Sequence, residues 1–223
     1  MFVPSAFRPV DDAPLVQLIR AAPLATLVST GPDGPLATHL PVVLESDARG
    51  AKPAELVGST VLGHLNRRNP HFAALSANPS ALLIFTGPHG YVSPAVHGSV
   101  PAAPTWNFTA VHLRGRAVPV QSDEDTLWVV RSTARLLEER LGRGWDAGPS
   151  LGYFDRLLPG VGAFRLVVAE AAGMFKLSQD QPESVRDLVA EAFGTSPVST
   201  HQELARLMRR LAPTASDRWG ESS

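Results

Sequence analysis

The order in which extended and helical patterns follow one another constrains this chain more than any single motif. LATLVST (24–30), the turn letters GPDG and PLATHLPVVL (35–44) read as two strands joined in a hairpin. A further strand is expected in ELVGSTVLGHL (55–65), and ALLIFTG (81–87) reads as an almost wholly apolar one. NFTAVHLRGRAVPV (107–120) alternates well enough for another, with a glycine break at Gly115, and GVGAFRLVVAEAAGMFKLS (160–178) predicts a last pair. Helical patterns are inserted between these runs instead of alternating with them one for one. That arrangement predicts a mainly β chain with helical additions, an α+β antiparallel sheet or small barrel, and disfavours a doubly wound sheet.

The helices carry their own punctuation. DDAPLVQLIRAAP opens on acidic residues and a proline, with Leu15, Leu18, Ile19 and Ala22 at helical spacing. NPHFAALS (69–76) sets Asn69 as a cap before Pro70 at the first helical position. Ser122 and Asp125 form a capping pattern ahead of Leu127, Val130, Ala134, Leu137 and Leu141, which predict the buried stripe of a long helix. QPESVRDLVAEAF places Val185, Leu188, Val189 and Ala192 on one face, and GTSPVSTHQELARLMRRLAP reads as one more amphipathic helix before a polar tail. GPHGYVSPAVHGSVPAAP, dense in glycine and proline, reads as loop apart from the short run YVSP.

Composition excludes several functions. The 223 residues suit one large domain or one domain with an appendage, and 44% hydrophobic against 18% charged residues supplies a real core. A formal net charge of −1 argues against gripping nucleic acid, which usually demands a basic excess. The chain has no cysteine, which removes disulfides, thiolate metal sites and a cysteine nucleophile. MFVPSAFRPVDDAP lacks the form of a signal peptide and no apolar run is long enough to span a bilayer, so a soluble cytoplasmic protein without membrane partners is expected. No Gly-rich phosphate loop, no H-E-x-x-H pair and no G-x-S-x-G elbow occurs.

Polar residues nevertheless gather where strand patterning favours apolar ones. Thr38 and His39 lie in one strand; Trp106, Asn107 and His112 surround another. Lys176, Ser178 and Gln179 sit where the last strand gives way to a helix, a junction suited to a carboxylate or phosphate. His39 and His112 read either as hydrogen-bonded sheet residues or as site residues, Trp106 as a core anchor or a cofactor wall, and Lys176 as a surface or a site lysine. VLGHLNRRNPHF (61–72) holds His64 and His71 seven apart, with Pro70 expected to start a new helix between them, so they need not share a face.

MFVPSAF, ATHLPVVL, GHLNRRNPHF, FTGPHGYVSP, PTWNFTAVHLRG, LPGVGAF and KLSQDQP, in that order, resemble the PaiB-like family, often labelled FMN-binding negative transcriptional regulators. The resemblance runs from Met1 to about Phe193. It implies a split β-barrel of the FMN-binding type, homodimeric, with residues 1–193 as the cofactor-binding domain and 194–223 as a C-terminal helix and polar tail. SVPAAPTWNF and GMFKLSQDQP are most similar to the branch of heme-dependent piperazate synthases.

On that resemblance His64 is the expected ligand of heme b iron, and Arg67 the partner of a heme propionate. Trp106, Asn107, Ser178 and Gln179 are the remaining expected cofactor contacts. The implied reaction closes N5-hydroxy-L-ornithine to L-piperazic acid by forming an N–N bond with loss of water. Lys176 is the candidate base or positioning group, with Thr38, His39 and Gln179 orienting the amino-acid end. The alternatives are a PaiB-type FMN-binding regulator, with Lys176 and Ser178 on the flavin phosphate and His64 and Arg67 along its edge, and a flavin-dependent reductase on the same barrel. No basic recognition helix of the helix-turn-helix type supports the regulator.

Overall fold

The computed structural model describes residues 1–51, 55–98 and 100–211. Six strands form the sheet: β1 (Leu24–Gly31), β2 (Gly34–Leu44), β3 (Thr60–Asn66), β4 (Ser80–Val92), β5 (Thr105–Pro119) and β6 (Val161–Lys176). Hydrogen bonding follows the order β1-β2-β3-β6-β5-β4 and closes back on β1. The helices are α1 (Ala13–Ala21), α2 (Glu45–Ala48), α3 (Pro70–Ala77), α4 (Asp123–Leu141), α5 (Leu151–Leu157), α6 (Glu183–Gly194) and α7 (Ser199–Arg210). No helix among the described residues is long and apolar enough to cross a membrane.

The chain divides into two compact units. The larger comprises Asp11–Phe85 and Val111–Ala172. Its β1–β2 hairpin turns at Pro32-Asp33 and keeps antiparallel register from Leu24↔Pro41 to Gly31↔Gly34. β3 pairs with β2 on one side and β6 on the other, so Val61, Leu62 and Gly63 are buried in succession. Leu27, Leu83, Phe85, Leu113, Phe164 and Leu166 are fully buried. A side chain at Gly63 would meet the Phe164 ring, so the missing Cβ here is a packing requirement.

Helix α4 lies on this sheet through Val129 and Leu136, which cluster with Val43, Leu62, Val120 and Ala163. Its buried stripe is Thr126, Val129, Ser132, Thr133 and Leu136, not the expected Leu127, Val130, Ala134, Leu137 and Leu141; Leu141 is 62% exposed. The reason is local: the Thr126 and Thr133 hydroxyls donate to the Ser122 and Val129 carbonyls one turn back, at 2.9 and 2.8 Å. With their donors satisfied inside the helix, both threonines pack as small β-branched groups. The expected cap is present, Ser122 Oγ accepting from the Asp125 N–H at 3.1 Å. α1 buries Leu15, Leu18 and Ile19 as expected. α1, α2 and α4 are joined by Asp47, whose carboxylate takes a two-pronged contact from Arg20 (3.1 and 2.6 Å) and a further bond from Arg140.

The smaller unit comprises Met1–Val10, Thr86–Ala110 and the chain from Gly173 onward. It holds the last part of β4, the first part of β5, the end of β6, and helices α6 and α7. β4 runs on to Val92 through GPHGYV, where loop was expected. Gly90 is glycine because a side chain there would strike the Phe193 ring of α6, so it serves packing and makes no turn. α6 buries Val189, Ala190 and Phe193, while Leu188 of the expected stripe is 43% exposed. α7 buries Leu204, Ala205 and Met208.

β6 is one strand of 16 residues where two were expected. The small residues of AEAAG resemble a turn in sequence, yet Gly173 is absent from the glycines with positive φ and the backbone stays extended. The short α2 and α5 were not anticipated.

Candidate functional site

In the smaller unit, the end of β6, the start of β5 and the segment before it enclose a cavity of about 440 Å³. That volume falls within the range of small-molecule pockets, about 300–1,000 Å³. Lys176, Asn107 and Ser178, three of the residues singled out in the sequence, line it together. Strand alternation turns Thr105 and Asn107 toward the cavity and Trp106 to the other face. Trp106 is 51% exposed there, beside His89 and Tyr91, with ring centroids 5.7 and 6.0 Å away.

Lys176 Nζ donates to Thr105 Oγ1 at 2.6 Å and lies 5.7 Å from the centre of the Phe7 ring. It has no carboxylate partner among the described residues. Beyond it the chain reverses sharply. Ser178 has φ of 64°, a left-handed conformation that costs a residue with a Cβ about 1 kcal/mol or more. The conformation is held from three sides. Asn107, wholly buried, donates from Nδ2 to Ser178 Oγ at 2.8 Å, and its Oδ1 lies 3.2 Å from the same hydroxyl. Gln179 accepts the Leu177 N–H at 2.6 Å and donates from Nε2 to the Phe175 carbonyl, so both ends of its amide are engaged by the turn. The Gln181 N–H closes back on the Ser178 carbonyl at 3.0 Å.

Sequence reasoning missed three residues of this cavity. Thr105 is the lysine's partner, Asp180 brings a carboxylate, and His97 lines the wall.

The larger unit holds Thr38, His39, His64 and Arg67. His64 sits on β3 opposite Ala163, on the same strand face as Leu62 and Asn66. Burial pushes its imidazole below the ordinary value and keeps it neutral. Its Nδ1 is sealed from solvent with no hydrogen-bond partner. Arg67 is exposed and donates from Nε to the Val161 carbonyl at 3.1 Å, with its guanidinium 5.9 Å from the Phe72 ring. His39 is exposed and bonded through Nδ1 to Thr26 Oγ1 at 2.9 Å.

Thr38 belongs to a network that sequence reasoning did not foresee. Asn69 Oδ1 accepts from the His71 backbone N–H at 3.0 Å and caps α3, which orients Nδ2 toward Thr38, to whose Oγ1 it donates at 3.3 Å. The Thr38 hydroxyl is also hydrogen-bonded to His71 Nδ1, 2.9 Å away. The other ring nitrogen, Nε2, is buried and has no partner among the described residues. His71 is 1% exposed, and burial pushes its pKa down.

A six-stranded antiparallel sheet closed in this order, with helices added, is the split-barrel type of fold. The profile of the family described as "Putative FMN-binding domain" matches residues 1–170, and the chain belongs to that family, as its sequence blocks implied. It is 26% identical over 216 residues to "Protease synthase and sporulation protein PAI 2" of Bacillus subtilis (strain 168), an alignment spanning 93% of this chain and 96% of that protein. Among solved structures, the FAD and heme binding protein from Mycobacterium smegmatis is 15% identical with a TM-score of 0.55, covering 82% of this chain and 79% of the other. The flavocytochrome Anf3 from Azotobacter vinelandii is 21% identical with a TM-score of 0.51, covering 74% and 67%. Both likenesses are of fold.

Proposed function

We propose that this chain is a heme-dependent piperazate synthase, acting as a homodimer on a small amino-acid substrate. N5-hydroxy-L-ornithine would form a bond between its α-nitrogen and N5, the N–O bond would break, and the hydroxyl would leave as water with an amine proton. The observation that carries the reading is His64. It is a neutral, largely buried imidazole whose Nδ1 has no hydrogen-bond partner, and neutral imidazole is the form in which histidine serves as a metal ligand. No three His, Asp or Glu side chains gather as a metal cage among the described residues. A porphyrin would bring the remaining ligands of an iron that His64 held. The barrel is compatible with that group, since a protein of the same fold is described as binding heme beside a flavin.

His64 would hold the iron, and Arg67, exposed and anchored to the Val161 carbonyl, would meet a propionate. Bound heme iron supplies a Lewis acid that draws electrons from the hydroxylamine and weakens its N–O bond. Lys176 would engage the carboxylate of an amino acid in the cavity of the smaller unit.

The test is an absorption spectrum of protein expressed with a heme precursor, recorded also for His64→Ala, followed by mass spectrometry of N5-hydroxy-L-ornithine incubated with each. A Soret band lost or shifted in His64→Ala, with a product lighter by one water, is expected. Flavin bands without a Soret band would replace this reading with the second one, an FMN-binding protein of PaiB type. That reading draws on the family description and on the relative in Bacillus subtilis. It would ask Ser178 to hold a flavin phosphate, although its hydroxyl is already engaged by Asn107.

A further inference from the structure

The turn after β6 brings a cation and an anion to one cavity four residues apart, Lys176 and Asp180. Neither has a partner of opposite charge among the described residues: Lys176 bonds the Thr105 hydroxyl, and Asp180 accepts only from the neighbouring Gln181 amide at 3.3 Å. Between them Leu177 and Ser178 are buried, and the left-handed Ser178 reverses the chain so that its two flanks share the cavity. Much of the remaining wall is small and apolar, with Val92, Ala102, Ala103, Val185 and Val189. With Lys176 partly buried and Asp180 exposed, a positive and a negative charge line one partly apolar cavity and complement a ligand of matching dipolar charge.

We propose that Asp180 is the specificity residue for the α-amino group of an amino acid whose α-carboxylate is held by Lys176, its carboxylate binding the incoming ammonium and accepting the proton that frees the nitrogen. The inference rests on the amino-acid reading of this cavity and adds the polarity and the end of the molecule that is read. The charges lie on one tight turn, so they match the adjacent carboxylate and ammonium of an amino-acid head, leaving the side chain to run along the valines.

Binding to the purified dialysed protein is measured by calorimetry with L-ornithine, L-norvaline and 5-aminopentanoate, the last lacking the α-amine. Asp180→Asn is expected to weaken L-ornithine and L-norvaline by about tenfold or more, the loss of one charge-assisted hydrogen bond, and to leave 5-aminopentanoate unchanged. Lys176→Met should weaken all three. Equal weakening of 5-aminopentanoate by Asp180→Asn would place the carboxylate at the chain end, and no weakening of L-norvaline would remove Asp180 from recognition; either overturns the proposal. Circular dichroism and the unfolding midpoint of Asp180→Asn show that a loss of binding is not a loss of fold. The absorption spectrum of the same samples separates the two readings. Flavin with an Asp180-dependent L-norvaline site would retain the head-group subsite and discard the synthase, and heme with no Asp180 effect would do the reverse.

Discussion

Replacing Asp47 by Asn tests how the larger unit is held together. The carboxylate is 5% exposed and is bonded by Arg20 and Arg140, whose side chains are 35% and 25% exposed. Burial alone would raise its pKa, but hydrogen bonds from the two guanidinium groups outweigh that and hold it below the ordinary carboxylate range. Asn keeps the volume and one acceptor while removing the charge, leaving two half-covered cations facing each other. Breaking a buried ion pair costs about 3–5 kcal/mol. Both arginines can turn partly to water, so we expect about 3 kcal/mol, or roughly 6–12 °C in Tm for a chain of this size.

Urea unfolding at neutral pH should show a lower midpoint at unchanged slope. The gap should also depend on pH. A carboxylate depressed in the folded state contributes its full stability above the unfolded value, about 3.9, and loses it as pH falls through the lower folded value. Wild type and Asp47→Asn should therefore converge only in strong acid. A gap below about 1 kcal/mol at neutral pH, or one that does not change on acidification, would refute the reasoning.

Two further outcomes are expected. Ser178→Ala should lose the Asn107 bond and keep the backbone strain, costing about 2 kcal/mol, whereas Ser178→Gly should recover about 1 kcal/mol of that by relieving the left-handed conformation; chemical denaturation orders the three proteins. Burial holds the His71 imidazole below its ordinary value, so the unfolded chain takes up the proton first. Stability should thus be full above about pH 6.5 and fall on acidification by up to about 1.4 kcal/mol per pH unit for this group. His71→Gln should remove part of that slope, with His64 supplying a second part of the same sign, as urea midpoints near pH 7.5 and 5.5 would read.

Local chemistry was legible wherever a few consecutive residues decide the outcome. The Asn69-Pro70 start, the Ser122 cap and the β1–β2 hairpin all form as their letters indicate. Misreadings arose where a residue's meaning depends on a distant neighbour. Gly90 looked like loop because the ring of Phe193 that needs the space lies a hundred residues on. The α4 stripe was displaced because hydropathy counts threonine as polar even when its hydroxyl is bonded within its own helix. Lys176, Asn107 and Ser178 were identified one by one, but the contacts that make them a site, Lys176 with Thr105 and Asn107 with Ser178, each span 71 residues. Asp180 and His97 carry no local sign of that enclosure.

The cap of α3 has a further consequence. Asn69 faces its own helix with an oxygen and Thr38 with a nitrogen, so it donates to a hydroxyl that is itself bonded to His71. An aspartate would cap the helix equally well but could give Thr38 nothing. The threonine proton would turn toward the carboxylate, His71 would supply the hydrogen from Nδ1, and Nε2 would become a lone pair. One near-isosteric letter at the start of a short helix would thus fix which nitrogen of a buried imidazole carries the hydrogen, without moving a backbone atom.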